Sequence, residues 1–123
     1  MFLQEEFFEK NINIKELKYS FYVMPGKGHK SMQDRKNAGF VYLCGAERKY
    51  TFSDGQRITV KKGDILFLPE GSSYTLETEI TGDCYIVGFD ILGDYHGGAF
   101  AVTLKNTGEI LKDFEIIESV RNM

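Results

Sequence analysis

Lys61-Lys62-Gly63-Asp64-Ile65-Leu66-Phe67-Leu68-Pro69-Glu70-Gly71-Ser72-Ser73-Tyr74 is the stretch on which the fold of this chain turns. Gly63 and Asp64 supply turn chemistry. The apolar run from Ile65 to Leu68 has the length and composition of a strand buried on both faces. Pro69 cannot donate to a ladder and Gly71 tolerates positive φ, so Pro69 to Ser72 reverses the chain. A strand hidden on both faces belongs inside a barrel or between two sheets. Its neighbours must supply the layers that hide it.

Working outward, Tyr74, Leu76 and Ile80 alternate with Thr75, Glu77 and Glu79, which puts Tyr74 on the inward face beside Leu76. Tyr85, Val87, Phe89 and Ile91 alternate in a further strand, and Ala99 to Leu104 form the last clear one. Upstream, Leu17 to Met24 reads as a strand with Leu17, Tyr19, Phe21 and Val23 on one face. Pro25 to Lys30 then interrupts it with turn residues, and a polar stretch runs on through Asn37. Gly39 to Cys44 is a second strand. Lys49 to Ser53 and Arg57 to Lys61 flank Asp54-Gly55, a two-residue hairpin signal that predicts φ > 0 at both positions. Seven or eight short strands with turns every eight to twelve residues predict a sandwich or barrel. After Asn106-Thr107-Gly108 the apolar period changes, predicting a helix over Leu111 to Arg121.

The chain has 123 residues, enough for one domain with a core of its own. At 42% hydrophobic and 27% charged residues it has an ordinary globular composition. A net charge of −3 gives no overall basic field to draw it onto nucleic acid. No apolar run approaches the roughly 18 residues that span a bilayer, and no signal-like leader follows Met1. A cytoplasmic protein without membrane partners is expected. Cys44 and Cys84, the two cysteines, lie in strand-like runs and read as buried, reduced thiols.

The spacing Gly63, five residues, Pro69, one residue, Gly71, two residues, Tyr74 resembles the second conserved motif of the cupin superfamily. Arg35 before Gly39-Phe40-Val41-Tyr42, and Tyr85 to Phe89 followed by Asp90, are similar to the effector-sensing N-terminal domains of AraC-family transcription regulators. The resemblance covers roughly Met32 to Ile91. It implies an all-β, cupin-type double-stranded β-helix, a jelly-roll barrel, here with a short C-terminal α-helix. One domain over residues 1–123 is expected, with an arm at 1–10, the barrel at about 17–104 and the helix at about 111–121. The resemblance also implies a homodimer that binds a small effector and reaches DNA only through a helix-turn-helix half that this sequence does not contain.

Metal-dependent cupins resemble one another in a His-x-His pair, a glutamate and a histidine closing the second motif. Here Gly39 to Ser53 contain no histidine and the closing position is Tyr74. No metal ligands, cofactor or catalytic residues are assigned. The candidate ligand-binding residues are Arg35, Tyr42, Phe52, Tyr74, Leu76, Tyr85 and Val87. Arg35 would hold a carboxylate or a pair of sugar hydroxyls in its planar fork, and Tyr74 would aim a phenol into the barrel. The remaining five would form aromatic and aliphatic walls or plain core. The effector is expected to be a sugar or a small carboxylate. The alternative is a stand-alone, metal-free isomerase, epimerase or lyase, whose base would be His29 or His96, both read as loop residues.

Overall fold

Alternation of apolar and polar residues, read against the pairing of the strands, decides which side of each sheet is inward. The computed structural model describes residues 14–23, 28–93, 95, 97–103 and 112. The expected arm at 1–10, His96 and, but for Lys112, the expected helix over Leu111 to Arg121 lie outside these residues. Nine strands are described: β1 (Ile14–Val23), β2 (Gly28–Met32), β3 (Ala38–Leu43), β4 (Glu47–Phe52), β5 (Arg57–Val60), β6 (Asp64–Leu68), β7 (Tyr74–Ile80), β8 (Cys84–Ile91) and β9 (Phe100–Thr103). They form a five-stranded sheet in the order β1-β8-β3-β6-β9 and a four-stranded sheet in the order β2-β7-β4-β5. All the pairings are antiparallel. Among the described residues no helix is long and apolar enough to cross a membrane.

Two apolar layers follow from the parity. Val41, Leu43, Leu66, Leu68 and Cys84 of the five-stranded sheet meet Tyr50, Phe52, Val60 and Tyr74 of the four-stranded sheet, and this is the interior of the sandwich. Ala38, Phe40, Tyr42, Ile65, Phe67, Val87 and Phe89 occupy the opposite face of the five-stranded sheet, where Leu17, Tyr95 and Phe100 pack on them. Strands β3 and β6 therefore serve both layers, and every residue in them is buried. This is why Ile65 to Leu68 is apolar without alternation: odd and even residues face different cores.

The structure corrects four expectations. The segment read as a turn and polar stretch contains β2, an edge strand paired to β7, all five residues of which are exposed. Such a strand has no apolar pattern to betray it. His29 therefore sits on a strand, opposite Glu77, and not in a loop. In β1 the register shifts between Leu17 and Tyr19, so Leu17 packs on the outer layer while Tyr19 and Phe21 face the interior side. At the hairpin only Gly55 takes positive φ, at 94°; Asp54 instead accepts the Gln56 N–H with its carboxylate at 2.9 Å.

Leu66 is completely buried at the centre of this arrangement. Leu66→Ala is expected to lower stability by about 2–5 kcal/mol in urea denaturation. An unchanged midpoint would contradict the burial of β6 on both faces.

Candidate functional site

The second turn of the motif clasps the backbone of Arg35 from both sides. Gly71 donates its N–H to the Arg35 carbonyl at 2.8 Å, and the Arg35 N–H donates to the Ser72 carbonyl at 3.0 Å. Ser73 Oγ accepts the Asp34 N–H at 3.0 Å, and Asp34 takes a positive φ of 46°. Gly71 itself has φ of +81°, which explains glycine at this turn. With its backbone fixed in this way, the Arg35 side chain turns under the sandwich and is only 6% exposed.

Its guanidinium is held by three groups, none of them charged. Nε donates to the Asn37 carbonyl at 3.2 Å, Nη1 to the Tyr74 hydroxyl at 3.0 Å and Nη2 to the Tyr19 hydroxyl at 2.7 Å. Two glycines make room for this group. A Cβ on Gly39 would stand 2.7 Å from Arg35 Nη2, and one on Gly88 would run into the Tyr19 ring. Burial pushes the Tyr74 phenol up from its usual range, while the Arg35 guanidinium pulls the other way.

Arg35 and Tyr74 open onto a cavity of about 460 Å³ between the two sheets. It opens between the edge strands β1 and β2, where Phe21 and Met32 are exposed. Lys30 and Met32 oppose Leu76 and Tyr74 across the β2–β7 ladder and so share their inward face. Val41, Leu68, Leu76 and Ile86 form apolar walls, with Tyr50 and Tyr74 at a ring separation of 5.4 Å. A mostly apolar wall with a few polar groups is the usual make-up of a small-molecule site.

A second guanidinium lines the same cavity, that of Arg48. Strand β4 alternates buried Arg48, Tyr50 and Phe52 with exposed Lys49 and Thr51. Arg48 is 4% exposed, and its Nη1 donates to the Tyr50 hydroxyl at 3.2 Å. Its Nε is buried and has no hydrogen-bond partner. The Cys84 thiol lies beside it; burial pushes that thiol up, against the pull of Arg48. Burial likewise pushes the Tyr50 phenol up to about 12, with Arg48 opposing. Strand β4 begins at Glu47, two residues before the expected start at Lys49, and so includes Arg48. Its spacing of two from Tyr50 was the signal that could have found it.

Of the seven candidate residues, the structure brings four to the interior: Arg35, Phe52, Tyr74 and Leu76. Tyr42, Tyr85 and Val87 belong to the outer layer of the five-stranded sheet and cannot line the same cavity. Val41 and Ile86, their sequence neighbours, take that role. A second depression, of about 450 Å³, lies over the outside of the four-stranded sheet around His29, Lys49, Arg57 and Glu77. There His29 stands 3.8 Å from Glu77 with its side chain 76% exposed, and Lys49 stands 3.4 Å from Glu79. Charges of both signs in open solvent are the ordinary surface of a sheet. Among the described residues, no three His, Cys, Asp or Glu side chains come together as a metal-binding group.

The sequence matches no protein-family profile, and no curated protein matches it by sequence. Solved structures resemble it in fold. ToxT from Vibrio cholerae, bound to (E)-4-(8-methylnaphthalen-1-yl)but-3-enoic acid, superposes with a TM-score of 0.64 at 7% identity, over 89% of this chain and 50% of that one. ToxT bound to an unsaturated fatty acid gives 0.56 at 6% identity, over 90% and 47%. YhaK from Escherichia coli gives 0.56 at 15% identity, over 70% and 40%. The chain thus spans about half the length of ToxT. It has the cupin-type β-sandwich fold, and its resemblance to the effector domains of AraC-family regulators holds at the level of fold.

The raised Tyr50 phenol makes a pH prediction. The folded protein keeps this proton while the unfolded chain releases it near pH 10, so the stability it contributes is present below pH 10 and is lost towards pH 12. Melting temperatures are expected to fall over that window, less steeply for Tyr50→Phe. Equal slopes for the two proteins would contradict the burial of this phenol.

Proposed function

We propose that this chain is the effector-binding domain of an AraC-type transcription regulator and that its effector is a small organic anion held between the two sheets. One observation carries the reading. The cavity lining includes Arg35, Arg48 and Lys30 but no acid, and both arginines are buried. Among the described residues neither guanidinium has a carboxylate partner. A buried cation without a counter-charge is unfavourable unless something else supplies one, and an anionic ligand does so. Of the two effector classes expected from the sequence, this charge balance favours the carboxylate over the neutral sugar. ToxT, similar in fold, has been solved with two organic acids, which supports the same choice.

In this reading the effector closes over the lips formed by β1 and β2. It must bind one arrangement of the protein better than another in order to signal. Homodimerisation through this domain is part of the same proposal, and contact with DNA belongs to a helix-turn-helix half of the proposed regulator. The enzyme reading finds no support at His29, which stands on the outside of the four-stranded sheet.

A thermal-shift screen of organic acids against neutral sugars tests the proposal. A ligand that binds only the folded state adds about 2.7 kcal/mol of stability at a hundred times its Kd. Acids are expected to raise the melting temperature by several degrees and sugars of similar size to leave it unchanged. Stabilisation by sugars alone would overturn the anionic effector.

A further inference from the structure

We propose that Arg48 receives the acidic group of an organic acid with an apolar body, while Arg35 acts as a positioning residue. This rests on the anion-binding reading above and assigns its chemistry to one residue.

The two arginines differ in what the folded chain already asks of them. A guanidinium offers five donors, and its side-on edge, formed by Nε and one Nη, matches a carboxylate in two parallel hydrogen bonds. In Arg35 that edge is taken, because Nε donates to the Asn37 carbonyl, and each Nη nitrogen also has a phenol partner. These bonds tie β1, the loop before β3, and β7 to one another. In Arg48 the guanidinium meets the Tyr50 hydroxyl through Nη1 and the Cys84 thiol, and the buried Nε has no partner. Leaving a buried donor on a charged group unsatisfied is unfavourable. A carboxylate against the part of the Arg48 guanidinium that lines the cavity supplies the missing counter-charge.

The surroundings select the rest of the ligand. Arg48 lies opposite Thr78 on the β4–β7 ladder, whereas Tyr74, the partner of Arg35, lies opposite Phe52 four residues along. Tyr50 opposite Leu76 fills the space between. Leu76, Leu68, Val41 and Ile86 offer no hydrogen bonds along this path, so the body of the ligand is apolar. A hydrophilic polyacid would leave its second charge against these walls.

Octanoate is the probe, with 1-octanol as its uncharged counterpart, and binding is read by calorimetry and thermal shift on the wild type, Arg48→Met and Arg35→Met. Octanoate is expected to bind the wild type and octanol not to do so measurably. Arg48→Met is expected to weaken octanoate by about tenfold or more. The same variant, free of ligand, is expected to melt at or above the wild-type temperature, since a buried, half-satisfied cation has been replaced by an apolar chain. A structural arginine would give the opposite result. Wild-type octanoate affinity in folded Arg48→Met, with affinity lost in Arg35→Met, overturns the assignment to Arg48 and leaves the anionic cavity standing. Failure of octanoate to bind the wild type overturns both. If Arg48→Met does not fold, Arg48→Gln replaces it, and failure of both to fold marks Arg48 as structural and overturns the proposal.

Discussion

Two backbone hydrogen bonds, Gly71 N–H to the Arg35 carbonyl and Arg35 N–H to the Ser72 carbonyl, hold the Arg35 end of this sandwich together. They join the turn after β6 to the loop before β3, segments more than thirty residues apart in sequence. Without them the Arg35 side chain would have no reason to lie under the sheets, and Tyr74 and Tyr19 would lose their common donor. The motif that specifies the fold thus also positions the site. Its Pro69 and Gly71 make the turn, Ser72 and Ser73 grip the loop, and Tyr74 meets the guanidinium.

The electrostatic state of the interior follows from that placement. Removing a guanidinium from water is expensive, and two phenols and a carbonyl offset only part of the penalty for Arg35. Arg48 recovers still less, with one phenol, one thiol and an orphaned Nε. An apolar residue at either position would be accommodated by walls that already contain Leu76, Leu68 and Ile86. A fold selected for stability alone would use one. The retained cost is what the proposed anionic effector would offset.

Much of this was legible in the sequence, and the errors have physical causes. Turn chemistry at Gly63 and Pro69 to Gly71, with four apolar residues between, specified a strand buried on both faces, and β6 is that strand. Parity within one strand placed Tyr74 and Leu76 together correctly. Parity cannot say which face of a doubly buried strand looks inward, so Tyr42, Tyr85 and Val87 were assigned to the cavity while Val41 and Ile86 line it. Leu17 was misplaced because a bulge at Lys18 interrupts the period of two. Strand β2 carries no apolar signal at all, since its backbone pairs with β7 while its side chains stay exposed. Arg48, a charged residue near a strand end, reads as solvated, so its burial is not legible in the residue type alone.

The space between the sheets, and not the outer depression around His29 and Arg57, is the place proposed for an organic anion. A crystal structure of the protein with octanoate tests it most directly. A carboxylate is expected within hydrogen-bonding distance of a guanidinium inside the sandwich, with the chain lying between Tyr50, Leu76 and Ile86. A carboxylate bound among His29, Lys49 and Arg57, with the interior unchanged, would contradict it.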